Sequence, residues 1–191
     1  MRRFSFGPTL AFKGRKFKGL RGWAGKPFHP PVTDIPVTAY LFGAVFDVLS
    51  TRLHDEYPEV SEQLYRAGTW VFIGGVAISL LAALTGWADW HRSSQPGTQA
   101  RRTINSHAII MIAVSVLAVV DLALRLTTYG PDDYAPLGLS VLSVVVAVAV
   151  TIGSAYGGTM VYDYGFNVET AGDSPVWHED EADVFPGRKA P

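Results

Sequence analysis

Two stretches of this chain have no place in the interior of a water-soluble domain. Ala67 to Ala88 runs for 22 residues, and Leu137 to Tyr162 for 26, without an Asp, Glu, Lys, Arg or His. A buried strand ends after about eight residues, whereas a helix needs about twenty to cross a bilayer. Two further runs share this character. Ile35 to Thr51 is broken only by Asp47. Thr103 to Arg125 holds 13 uncharged residues, Ala108 to Val120, with His107 at its entry and Asp121 and Arg125 at its exit. The chain is therefore expected to be all-α, a four-transmembrane-helix bundle with spans at about 34–52, 67–90, 104–126 and 137–162. Pro30 and Pro31 are expected to stop any helix running into the first span, with Thr33 or Asp34 as its cap and Pro36 in its first turn. Residues 58–66 are expected to form a short amphipathic lead into the second. Gly74, Gly75, Ala77, Ala82 and Ala83 offer small residues for close helix contact, as does the pair Gly153 and Gly157.

Charge divides the chain into three parts. Residues 1–28 form a basic arm, with eight of the 16 Lys and Arg and regularly placed aromatics. Residues 29–168 form the membrane domain, and 169–191 an acidic tail. Basic side chains attract anionic lipid headgroups and aromatics anchor at the interface, so the arm is expected to lie on the membrane surface and not on nucleic acid. The arm and the 91–102 loop are basic, and the connections at 52–66 and 127–136 are acidic. Lys and Arg stay on the cytoplasmic side, which predicts a multi-pass membrane protein with both termini cytoplasmic. The N-terminal stretch does not read as a signal peptide. There is no cysteine, hence no disulfide, thiolate metal site or Cys nucleophile. No catalytic motif or metal-ligand spacing stands out, and an enzyme is the less favoured reading.

The polar residues near the bilayer fall into two layers. At 1.5 Å per residue, Asp47 lies roughly 20 Å into the first span and Asp121 about 25 Å into the third, at similar depth. Asp121 and Arg125 are one turn apart and can pair, and Asp47 can reach the same guanidinium. An ion pair locking two helices and a proton or ion path are the two readings of this network. The cytoplasmic layer contains His29, Asp34, Trp87, Asp89, His91, His107, Tyr162 and Asp163. His107 is the sharpest candidate in it. Imidazole ligates haem iron or hydrogen-bonds a quinone, and His29 is the natural second ligand for a b-type haem. The bland alternative is His107 bonding Asp34, Asp89 or a backbone carbonyl. A faint internal symmetry accompanies this: the first and third spans each have a His at entry and an Asp at exit.

The landmarks HPPVTDIP before the first span, Asp47 late in it, TGWADW (Thr85 to Trp90), His107, and GGTMVYDYGFNV (Gly157 to Val168) resemble, in order and placement, a prokaryotic family. It is the four-helix membrane domain of unknown function that in some bacteria is fused to a Rieske iron–sulfur domain. His29, Asp47, Asp89, His107, Gly158 and Tyr162 fall on its motif positions. The resemblance implies a compact bundle, similar to cytochrome b561-type bundles, linked to respiratory electron transfer. Three functions are then in play. The first is a non-catalytic accessory or assembly subunit of a larger inner-membrane respiratory or photosynthetic complex. The second is a b-haem electron carrier using His29 and His107. The third, a weaker one, is a proton-coupled transporter using Asp47 and Asp121.

Overall fold

The structure, a computed structural model, describes residues 27–166. The acidic tail and all but the last two residues of the basic arm lie outside them. Four helices follow one another: α1 (His29–Leu53), α2 (Pro58–Ser93), α3 (Gln99–Leu126) and α4 (Leu137–Tyr162). All four are long and apolar enough to cross a membrane. α1 packs on α2 and α4, and α3 packs on α2 and α4, so α1 and α3 face each other across the bundle diagonal. The starts of α1 and α3 and the end of α4 share one end of the bundle, here the termini end. The α1–α2 and α3–α4 connections share the opposite end.

Burial runs contrary to that of a soluble protein. Asp47, Ser50, Ser61, Asp121 and Ser143 are fully buried, while Trp70 is 72%, Leu137 69% and Ile109 68% exposed. Polar groups face inward and apolar ones outward, the arrangement that a hydrocarbon solvent demands. The apolar core consists of Tyr40, Phe72, Val114, Ala118, Val146 and Val150. Tyr40 and Phe72 pack ring against ring at 5.5 Å, and each lies over a glycine of the partner helix, Gly75 under Tyr40 and Gly43 under Phe72. Small residues thus let two aromatic rings sit against backbone. Gly75 and Ala82 face inward as expected of packing residues, but Gly74, Ala77 and Ala83 are exposed.

Three helix starts differ from the sequence expectation. α1 begins at His29 and contains Pro30 and Pro31 in its first turn. The first helical N–H groups have no intrahelical acceptor, so proline costs nothing there. Thr33 caps nothing; its hydroxyl donates back to the Pro30 carbonyl at 2.7 Å. Pro36 lies inside the helix. α2 is continuous from Pro58, so the expected lead at 58–66 is part of the helix itself. α3 begins at Gln99, because Thr98 caps it by accepting the Arg101 N–H at 3.1 Å. The loop before it shrinks to 94–98, turned by Gly97 at φ 81°. Thr98→Ala is expected to cost about 1 kcal/mol, read as a lower thermal midpoint in detergent.

Hydroxyls close the opposite end. Ser50 and Ser61 each donate to the other's backbone carbonyl, at 2.9 and 2.8 Å. Ser50 Oγ also accepts the Ala135 N–H at 3.1 Å. Thr51 donates to the Ala135 carbonyl at 2.6 Å, and Tyr65 to the Tyr129 carbonyl at 3.0 Å. These bonds join α1, α2 and the α3–α4 connection.

Candidate functional site

Two polar ties cross the diagonal from α1 to α3, one near each end of the bundle. At the termini end the tie is made of His29 and His107. Their ring centroids are 6.5 Å apart, and the ring planes are at 88°. Both side chains are part-buried. His107 Nδ1 lies 2.8 Å from the Gly153 carbonyl of α4. A carbonyl only accepts, so this nitrogen carries the proton and Nε2 carries the lone pair. His29 Nδ1 lies 3.1 Å from Thr85 Oγ1 of α2. The Thr85 hydroxyl proton is committed to its own helix, at 3.0 Å from both the Leu81 and Ala82 carbonyls. Thr85 Oγ1 therefore accepts from His29, and His29 is also protonated at Nδ1. Each ring rests on a glycine. A Cβ on Gly86 would come within 2.7 Å of His29 Cε1, and one on Gly157 within 3.4 Å of His107 Cε1. In each helical hairpin, then, a His of the first helix lies over a Gly of the second.

At the opposite end Arg125 joins two carboxylates. Its Nε donates to Asp121 Oδ1 at 2.5 Å, one turn back on α3. Nη1 donates to Asp47 Oδ1 at 3.0 Å, and Nη2 donates to Asp47 Oδ2. Asp47 thus takes both arms of the guanidinium fork, the geometry that planar pairing favours. The Arg125 guanidinium lies 4.4 Å from the Phe72 ring and 5.7 Å from Tyr65. Gly68 of α2 makes room: a Cβ there would stand 3.1 Å from Asp47 Oδ1.

The remaining candidates are spread over the termini end. His91 is exposed and stacks on Trp87 at 5.8 Å and on Trp90 at 6.4 Å. Trp90 donates to Asn105 at 2.8 Å, and Arg101 lies 3.7 Å over its ring. Asp89 is buried. Asp34 and Asp163 are exposed, and Tyr162 is 87% exposed.

Sequence reasoning passed over Gly68, and it gave Thr85, Gly86 and the Gly153 carbonyl no part in holding the histidines. Thr85 and Gly86 open the TGWADW segment, where a small polar pair inside an apolar run is a signal. The Gly153 carbonyl has none, being backbone. Gly153 and Gly157 are four residues apart, and that spacing does mark the face of α4 turned to α3.

No curated protein and no solved structure matches the chain. One family model does, over residues 25–170, a span that contains all four helices and both polar ties. This chain belongs to the DUF2231 family of predicted membrane proteins.

Proposed function

We propose that this protein carries single electrons within the bilayer on a b-type haem held by His29 and His107, as a subunit docked on a larger electron-transfer complex. The observation that carries the reading is the facing histidine pair. The 6.5 Å separation of the ring centroids would let both imidazoles reach one metal ion at about 2 Å each. Both rings keep their proton at Nδ1, fixed by Thr85 and by the Gly153 carbonyl. Such partners orient a ligating histidine and leave Nε2 as the donor atom. Bound haem would supply one-electron chemistry. The chain would supply two imidazole nitrogens, a low-dielectric setting and glycines that let the rings approach backbone.

The setting we infer is a bacterial inner membrane with both termini cytoplasmic, the basic arm on anionic lipid. A small carrier must hand its electron to something, so the accessory-subunit expectation and the carrier reading combine.

The test is a visible spectrum of protein expressed with excess haem and purified in mild detergent. A Soret band is expected, lost in both His29→Ala and His107→Ala. A wild-type protein without the band sinks the carrier. A quinone extracted in its place would assign the pair to carbonyl hydrogen bonding. Co-purifying proteins in the same preparation identify the complex.

A further inference from the structure

We propose that Asp121 is a proton-binding site inside the membrane, holding one exchangeable proton on Oδ2 while Asp47 alone serves as the anion for Arg125. This rests on the buried triad and is independent of the haem reading. Three side chains meet there, all with less than a few per cent exposure: Asp47 0%, Asp121 0% and Arg125 2%. One cation faces two acids. An unbalanced charge buried in hydrocarbon is costly, and the group neutralises instead. The triad is neutral when one acid keeps its proton.

Bond geometry assigns which acid that is. Asp47 uses both oxygens on Arg125, as a carboxylate does. Asp121 uses only Oδ1, toward Arg125 Nε. Asp121 Oδ2 is buried and has no hydrogen-bond partner among the described residues. It is the oxygen left to carry the O–H bond. The groups facing the triad from each neighbour are few. Among the described residues α1 contributes Asp47, α2 contributes Tyr65 and Thr69, and α4 contributes the Ser143 hydroxyl, with Ser140 donating to the Asp47 backbone carbonyl. No second cation among the described residues stands there to hold Asp121 as an anion. α3 ends at Leu126, five residues beyond Asp121 and about 7.5 Å by helical rise. The bundle end nearer to the site is therefore the one opposite the termini. A proton from water protonates Oδ2, and on release it returns to water, with no other co-reactant.

Infrared spectroscopy of the full-length protein in detergent at neutral pH tests this. A protonated carboxylic-acid carbonyl band is expected, shifting in D2O. Asp121→Asn removes the band and leaves the thermal midpoint unchanged, because a neutral amide replaces a neutral acid. Asp47→Asn lowers the midpoint, because it takes the fork's partner. Three results overturn the proposal: a band unaltered in Asp121→Asn, a band that never shifts in D2O, or an Asp121→Asn protein that loses as much stability as Asp47→Asn or fails to fold.

Discussion

Arg125→Met is expected to leave little folded protein. The substitution keeps the apolar stem and removes the cation that, among the described residues, alone pairs with Asp47 and Asp121, both fully buried. Breaking a buried pair from one side costs about 3–5 kcal/mol. Domains of this size are stable by only about 5–15 kcal/mol, so the loss consumes a large part of the total. Lost contact with the Phe72 ring, 4.4 Å away, adds to it. Helicity followed by circular dichroism against temperature in detergent measures the effect, with size-exclusion profiles as a second reading. Arg125→Lys is expected to fall between, since a point charge cannot take both oxygens of Asp47.

The same site makes a sharper prediction in the other direction. Replacing all three members together, Asp47→Leu, Asp121→Leu and Arg125→Met, is expected to recover most of what Arg125→Met loses. No charge then remains to be desolvated, and apolar replacement of buried ionic groups is often neutral or stabilising. A triple variant as unstable as the single one means that shape, not charge, holds α1 to α3 at this end.

These sites were legible in the sequence to different degrees, for physical reasons. Run length alone reveals a membrane span, so α2 and α4 could be read from uncharged stretches, and α1 and α3 from apolar runs counted across or between their few ionisable residues. Their ends could not. Pro30 and Pro31 look like breakers, yet in a first turn they occupy positions that need no N–H. Arg101 and Arg102 look like loop, yet they belong to α3 because Thr98 caps the turn before them. The Asp121–Arg125 bond follows from i,i+4 spacing, and Asp47 follows from the rarity of charge at that depth. The partners of the histidines are harder. His107 had Asp34, Asp89 or some backbone carbonyl as eligible acceptors in the sequence, and it bonds the Gly153 carbonyl, which the sequence could not single out. A backbone atom has no letter of its own, and only the packing of α4 on α3 brings it near. Asp34 lies exposed at the start of α1, on a face that the bundle does not use.

Gly86→Leu is expected to abolish ligand binding at the histidine pair while the bundle still folds. In the native protein the His29 ring lies on Gly86, and a Cβ added there would meet Cε1 at 2.7 Å, with Nδ1 and Nε2 both at 3.2 Å. Cβ atoms do not approach that closely, so the ring must turn away and its bond to Thr85 Oγ1 goes with it. A displaced orienting partner lowers metal affinity by about 10–100-fold, and here the ligand itself moves as well. Gly157→Ala is the control. Its Cβ would stand 3.4 Å from His107 Cε1, ordinary contact that a small shift relieves, and the Gly153 carbonyl still anchors the ring. The measurement is the Soret absorbance per protein for the two variants, beside their thermal midpoints. The expected pattern is a lost band in Gly86→Leu and a nearly normal one in Gly157→Ala, with both proteins folded. If the two histidines merely pack against each other, the variants differ in midpoint and neither wild type nor variant shows the band. The comparison therefore separates a ligand-holding pair from a structural one, because only a ligated pair links the position of the His29 ring to a colour.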